Sequence, residues 1–182
     1  MKRFSLLLLS AILTACVHEP LQQAPETAAV EKTVSKRKMT TADYMTDQEN
    51  ELKQIVAKKT FRIIRENNIL AIILSGKDVF SLQDQQLSAD VEQTLKKIAG
   101  ILARYDKTHI SIIGYADSGN PSADRENSEK RAQAVADTFQ AAAKIADVRF
   151  WIEGSSQDAA SSEEERLKNN HVDIILTPTF IR

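Results

Sequence analysis

Asp117 and Arg131 are the residues whose types and spacing point most directly to chemistry. Asp117 follows an apolar, β-branched segment, residues 109–113, that is typical of a buried strand. Arg131 belongs to a helical segment, and if Ser128 caps that helix, Arg131 lies in the first turn, where unpaired N–H groups favour an anion. A carboxylate beside a planar guanidinium suits a ligand that carries an ammonium and a carboxylate on one carbon. Taken singly, such an Asp is usually a turn residue and such an Arg is usually solvated, so the hypothesis depends on the pair.

The elements that must position this pair follow from hydrophobic periodicity. One helix starts at Ser88 and carries its apolar residues on a single stripe, and a second helix follows residue 128. The order β-α-β-α-β-β predicts an α+β fold over residues 61–182, with a mixed sheet and the helices on one face. The predicted strands are residues 69–74, 109–113, 148–152 and 172–176, with a partner strand that starts at Phe61.

Two further segments precede this domain. The spacing of Leu52, Ile55 and Val56 predicts a short amphipathic helix over residues 46–60, with Thr46 or Asp47 available to cap its start. Residues 16–45 contain prolines and many charged residues but few large apolar side chains. Because such a composition buries too little surface to offset its ordering entropy, we expect a flexible linker there.

The first fifteen residues are typical of a secretory signal peptide. Lys2 and Arg3 precede an apolar stretch that is too short to span a bilayer, and small residues lead up to Cys16. This arrangement resembles the bacterial lipobox. The resemblance implies a lipidated Cys16, with palmitate among its acyl chains, and two or more chains anchor a protein stably. Val17 is not the Asp that marks inner-membrane retention, which favours the outer membrane; the alternative is an ordinary signal peptide with a chance Cys.

Composition argues against several other function classes. The formal net charge of −1 lacks the strongly basic character of a nucleic-acid-binding protein. Cys16 is the only cysteine, so no intramolecular disulfide can form. The three histidines, His18, His109 and His171, do not have metal-ligand spacing. With no nucleophile elbow and no Gly-rich phosphate loop, we expect neither an enzyme nor a cofactor.

Two sequence motifs resemble the OmpA/MotB peptidoglycan-binding signature. Gly114-Tyr115-Ala116-Asp117 ends a strand, and residues 128–135, Ser-Glu-Lys-Arg-Ala-Gln-Ala-Val, follow it in a helix. Upstream, Val79-Phe80 and then Leu87 also match the pattern, and the resemblance covers residues 61 to 177. It implies that Asp117 accepts hydrogen bonds from the ammonium of diaminopimelate in the peptidoglycan stem, and that Arg131 binds its carboxylate.

The chain departs from the family pattern at several positions around the implied site. Asn127 stands where the family has Leu, and Asp124 replaces an Asn that borders the ligand. The family's N-R-R-V appears here as Asn169-Asn170-His171-Val172, so Asn169 fits but both arginines are missing. His171 could supply partial positive charge at mildly acid pH. The implied peptidoglycan-binding residues are therefore Asp117, Arg131, Asp124 and Asn169, and the departures predict a weakened site.

Two functions of different class remain open. In the first, the chain is a lipoprotein of the outer membrane whose domain faces the periplasm and binds peptidoglycan. In the second, it is a structural subunit of an envelope-spanning secretion complex, similar in size and layout to the DotK-like lipoproteins of type IVB systems. The retained Asp117 and Arg131 favour the first, and the altered segment 169–171 favours the second. Trp151 either lies on a partner surface or packs under the N-terminal helix.

Overall fold

The computed structural model of the chain describes residues 38–56, 59–75, 78–80, 86–156 and 169–179. The expected signal peptide, Cys16 and most of the expected linker lie outside these ranges. The described elements, in chain order, are α1 (Thr41–Ile55), β1 (Phe61–Glu66), β2 (Ile69–Ser75), α2 (Ala89–Arg104), β3 (Thr108–Ala116), α3 (Pro121–Ala142), a turn of 3-10 helix (Asp147–Arg149), β4 (Phe150–Ser156) and β5 (His171–Pro178).

The strands form one mixed sheet in the order β1-β2-β5-β3-β4. The last strand of the chain, β5, lies at the centre and pairs antiparallel with β2 and with β3. Only β3 and β4 pair in parallel among the described strands, and α3 provides the crossover that parallel pairing requires. The predicted α+β fold with a mixed sheet is thereby confirmed, including the hairpin partner strand that starts at Phe61.

The core lies between the helices and one face of the sheet. In β2, β3 and β5, alternate residues are buried, as the period of two requires, and α2 buries the predicted stripe. Within the described residues, none of the helices has the length and apolar composition needed to cross a bilayer. The fully buried large side chains that form this core include Leu70, Ile72, Leu74, Leu95, Ile98, Leu102, Ile110, Ile112, Phe139 and Ile174.

Helix α1 begins five residues earlier than the sequence predicted, at Thr41 instead of Thr46. The reason is a capping box: the Thr40 hydroxyl accepts a hydrogen bond from the Asp43 N–H (3.1 Å), and the Asp43 carboxylate accepts one from the Thr40 N–H (3.1 Å). The helix packs on α2 and β2, so it is part of the compact domain. The predicted boundaries of the linker (16–45), the helix (46–60) and the domain (61–182) are corrected accordingly.

The start of β4 also differs from the prediction. Val148 lies in the 3-10 turn with 84% of its surface exposed, and the strand begins at Phe150. The Arg149 guanidinium explains the turn, because it donates hydrogen bonds to the carbonyls of Leu102 (3.0 Å) and Thr108 (2.8 Å). Trp151, on the edge strand, is 64% exposed and is not covered by α1.

Candidate functional site

The candidate site lies where β3 ends and β5 begins. Asp117 follows the last residue of β3, and Asn169 and Asn170 immediately precede the first residue of β5. Because these neighbouring strands are antiparallel, the end of one meets the start of the other. Asp117 is 5% exposed and Arg131 is 8% exposed, so two oppositely charged groups are buried at this end of the sheet.

Helix α3 begins well before the position that the sequence indicated. Asn120 is its N-cap and Pro121 its first residue; the Asn120 side chain accepts hydrogen bonds from two backbone N–H groups of the first turn. Ser128 is therefore inside the helix, fully buried, and its hydroxyl donates to the Arg125 carbonyl (2.8 Å). The expectation that Ser128 caps the helix was wrong. Arg131 lies too far into α3 for the helix N-terminus to assist it in holding an anion.

Two glycines allow α3 to approach the sheet closely at this point. Gly114 and Gly154 lie opposite each other in the register of β3 and β4. A Cβ atom on Gly114 would be 2.0 Å from the Ser128 carbonyl oxygen, and one on Gly154 would be 2.5 Å from the Glu129 backbone nitrogen. Only residues without a side chain fit there, and Arg131 follows one turn later over the end of β3.

The Arg131 guanidinium is held by several described groups. Its Nη1 donates to the Tyr115 carbonyl (2.7 Å) and to Oδ1 of Asn170 (2.6 Å), and the guanidinium carbon lies 5.3 Å from the centre of the Phe80 ring. Burial lowers the pKa of Arg131, and the negative charge of Asp124 opposes that shift. An arginine pKa starts so far above neutrality that the group stays cationic.

Asp117 is held through both its side chain and its backbone. Nδ2 of Asn169 donates to Oδ2 of Asp117 at 2.9 Å. The Asn170 amide pairs with the backbone: Oδ1 accepts from the Asp117 N–H (3.2 Å) and Nδ2 donates to the Asp117 carbonyl (3.2 Å). Asn170 thus contacts both Asp117 and Arg131, a bridging position that the sequence did not reveal.

Asp124 lies in the same region but faces the loop before α3. It is 6% exposed, and its Oδ1 accepts a 2.6 Å hydrogen bond from the Ser118 N–H. The structure therefore brings together all four residues singled out from the sequence: Asp117, Arg131, Asp124 and Asn169. Their binding of a ligand stays a prediction.

His171 lies on the other face of the sheet from the helices, and its contribution of charge to the site stays a prediction. The next residue, Val172, is buried on the helix side of the sheet, so His171 faces the opposite side. There its ring stacks on Tyr115, with centroids 4.3 Å apart, and its Nε2 lies 3.7 Å from Oδ1 of Asp173. Burial raises the pKa of Asp173, while the charges of His171 and Arg62 lower it.

Arg131 also contacts Phe80 and the Tyr115 carbonyl, and the sequence assigned neither of these groups a role in the site. The sequence did point to Phe80, because Val79-Phe80 matches the upstream part of the family pattern, but it predicted no role for this side chain. The part of the chain that the structure describes contains no group of three or more His, Cys, Asp or Glu side chains arranged to hold a metal ion.

The sequence profile of the OmpA family matches residues 79–171, which is more than half of the chain. The chain therefore belongs to the OmpA family. The match includes Asp117, Arg131 and the two asparagines before β5. Comparison with curated protein sequences gives no match.

Solved structures from several bacteria share the fold. A protein from Desulfovibrio vulgaris described as MotB-like superposes with a TM-score of 0.65 at 17% identity, over 76% of this chain and 94% of that one. The cell wall anchor of the T6SS from Pseudomonas aeruginosa gives a TM-score of 0.56 at 22% identity, over 78% and 99%. The periplasmic domain of Helicobacter pylori MotB gives 0.52 at 18%, over 65% and 82%. At these identities the likeness is one of fold.

Proposed function

We propose that this chain is a non-catalytic wall anchor whose domain binds the diaminopimelate-containing stem peptide of peptidoglycan. The observation that carries the proposal is the burial of Asp117 and Arg131 at one end of the sheet, where both contact Asn170. Burying an isolated charge lowers the stability of the folded state. A buried aspartate and arginine that share a partner therefore indicate a binding site.

The chemistry of the site suits the far end of the diaminopimelate side chain, where one carbon carries an ammonium and a carboxylate. Asp117 accepts hydrogen bonds from the ammonium, and the planar fork of Arg131 binds the carboxylate. Asn169 fixes Oδ2 of Asp117. Asp124 lies close enough to Arg131 for its negative charge to act on the guanidinium, so it reduces the positive potential there. Membership of the OmpA family and the likeness to a protein described as a cell wall anchor support the same ligand class.

The membrane side of the proposal rests on the N-terminal sequence. The signal-peptide-like residues 1–15 and the lipobox that ends at Cys16 support lipidation, and Val17 supports the outer membrane. The domain then faces the periplasm. Incorporation of labelled palmitate at Cys16 in growing cells tests this anchor, and an unlabelled protein would refute it.

A second function is favoured by two observations. Asn170 and His171 stand where the family pattern has arginines, and Trp151 exposes 64% of its surface on the edge strand. A structural subunit of an envelope secretion complex, such as a DotK-like lipoprotein, is held by protein partners and tolerates a weaker wall site. Purification from membranes in mild detergent separates the two functions, because a lone anchor brings down no stoichiometric complex.

Retention of the full chain by purified diaminopimelate-type sacculi, in mild detergent, tests the wall-anchor proposal. We expect Asp117→Asn and Arg131→Lys to reduce retention at least tenfold, because loss of one partner of a buried charge pair costs about 2–5 kcal/mol. Arg125→Ala is the matched control, since Arg125 is exposed on the same helix.

Each outcome of this experiment has a definite reading once thermal unfolding has shown every variant to be folded. Reduced retention of both site variants, with Arg125→Ala unchanged, supports wall binding through Asp117 and Arg131. Equal retention of all the proteins overturns the assignment of the site. No retention of the wild-type chain overturns wall binding itself.

A further inference from the structure

Asn170 lies between the two charged groups of the site. Its amide makes hydrogen bonds with three described groups: the Asp117 N–H, the Asp117 carbonyl and Nη1 of Arg131. Nothing in the family pattern calls for an amide there, because the pattern has arginine at this position.

The strand register explains why an amide fits. The β3–β5 ladder ends at Gly114 and Val172, and continuing it places Asn170 beyond the last backbone pair. The side chain of Asn170 takes over the pairing at this point, since it donates to one backbone group of Asp117 and accepts from the other. A carboxamide has the donor and the acceptor that a backbone unit would supply, whereas arginine has donors only.

The same oxygen that accepts from the Asp117 N–H also accepts from Arg131. Oδ1 of Asn170 lies 2.6 Å from Nη1 of Arg131 and 3.2 Å from the Asp117 nitrogen. One atom therefore fixes both the end of β3 and the head of the arginine. A site that must meet an ammonium and a carboxylate at a set separation gains affinity when that separation is fixed in advance.

We propose that Asn170 is a positioning residue, which sets the separation of Asp117 and Arg131 and so determines how well the site fits a zwitterionic stem-peptide end. This inference rests on the proposed function. The sequence alone indicated only that an arginine is missing at position 170, whereas the inference gives the asparagine there a positioning role. Asn169, by contrast, holds Asp117 through one hydrogen bond and does not connect it to Arg131 in the contacts described.

Binding of a soluble diaminopimelate-containing muropeptide to the full chain in mild detergent tests the proposal by calorimetry. We expect Asn170→Ala to weaken binding at least tenfold and Asn169→Ala about threefold. The first variant removes one contact of Arg131 and both backbone contacts of Asp117, whereas the second removes one contact of the Asp117 carboxylate. Measurements are made where thermal unfolding shows every variant folded. Equal weakening by the two variants would overturn the proposal.

Asn170→Asp separates positioning from simple stability. An aspartate keeps the two acceptor contacts, so this variant should unfold at a higher temperature than Asn170→Ala. Its charge pairs with Arg131 and competes with the ligand carboxylate, so it should bind no better than Asn170→Ala. Wild-type affinity in Asn170→Asp would refute the proposal, because a merely structural role predicts that binding recovers with stability.

Amide hydrogen exchange tests the positioning role of Asn170 independently of whether the chain binds peptidoglycan. We expect the peptide that contains the Asp117 amide to exchange at least tenfold faster in Asn170→Ala than in Asn169→Ala, with or without ligand. If the wild-type chain binds no muropeptide but this difference is present, the proposed function fails and the positioning role of Asn170 survives. If binding is present and the exchange rates are equal, Asn170 does not position Asp117.

Discussion

Asn170 and Gln48 carry the same carboxamide group, and the structure places them in opposite surroundings. Asn170, before β5, makes hydrogen bonds with Asp117 and Arg131. Gln48, on α1, is fully buried, and among the residues that the structure describes neither its Oε1 nor its Nε2 has a hydrogen-bond partner. A buried amide without partners costs stability, whereas a partnered one fixes the groups around it. At the site end of the domain, the buried amide therefore fixes the positions of its neighbours. On the α1 side, the buried amide of Gln48 lowers the stability of the fold.

The attachment of α1 explains how that side tolerates Gln48. Met45 and Leu52 are fully buried against the core, and Tyr44 meets Tyr105 edge-on, with ring centroids 5.2 Å apart. Glu51 adds an ion pair with Arg104 and accepts a 2.9 Å hydrogen bond from the Tyr105 hydroxyl. Burial and Glu51 together raise the pKa of Tyr105 to about 12. Apolar contact holds α1, and its polar contacts lie mostly at the surface.

The largest effect should come from breaking the close approach of α3 on the site side. Gly114→Ala places a Cβ 2.0 Å from the Ser128 carbonyl oxygen, so α3 must move. We expect a loss of about 3 kcal/mol in the free energy of unfolding in urea. Sacculus retention should also fall, because Arg131 lies one turn beyond Ser128.

Gly100→Ala is the matched control for that substitution. Gly100 lies in α2, and a Cβ there meets nothing within 4 Å. The control should gain roughly 0.5–1 kcal/mol, because alanine is the better helix former. Unchanged stability in Gly114→Ala would show that α3 can shift without cost.

Replacing each of the two amide residues with leucine should change the free energy of unfolding in opposite directions. We expect Gln48→Leu to raise the free energy of unfolding by about 1 kcal/mol, because an apolar side chain of similar size replaces an amide without partners. Asn170→Leu should lower it by about 2 kcal/mol, because Arg131 and the backbone of Asp117 each lose hydrogen bonds to the amide. Urea unfolding of both variants measures the difference. Destabilisation by Gln48→Leu would mean that Gln48 has partners in solution.

The smallest effect concerns Asp173, which lies on the other sheet face, near His171. Its Oδ1 has no hydrogen-bond partner within the described part of the chain. Burial raises the pKa of Asp173, so the folded state holds its proton more tightly than the unfolded state. That contribution favours folding at low pH and is lost as the pH rises through the folded pKa. Asp173→Asn should therefore raise the urea midpoint at pH 7, and the gain should disappear at an acid pH below the ordinary carboxyl pKa. A gain that is independent of pH would refute this origin.

The sequence was sufficient for the mixed sheet and for α2, and it singled out Asp117 and Arg131, whose role in binding stays a prediction. The alternation in the strands and the apolar stripe of α2 are patterns within a few neighbouring residues, so the sequence alone reveals them. The motifs around Asp117 and Arg131 are short and follow each other in a fixed order along the chain. The start of α3 was missed because its first two turns are polar and have no apolar stripe, although Asn120-Pro121 was a cap signal. The role of Asn170 depends on where the β3–β5 ladder ends, and no local pattern contains that information.

For the proposed wall anchor, the contrast between α1 and the central strands has a mechanical consequence. Asp117 and Asn170 lie at the ends of β3 and β5, whose backbone hydrogen bonds run across the strand direction, so a pull along these strands loads many of them at once. Helix α1 is held by side-chain packing and by isolated hydrogen bonds, not by a backbone ladder, so we expect it to detach from one end. Under tension we expect α1 to yield first. Its 15 residues would lengthen from about 22 Å as a helix to about 50 Å when extended, so in the proposed anchor the force on the wall contact stays at the level at which α1 detaches.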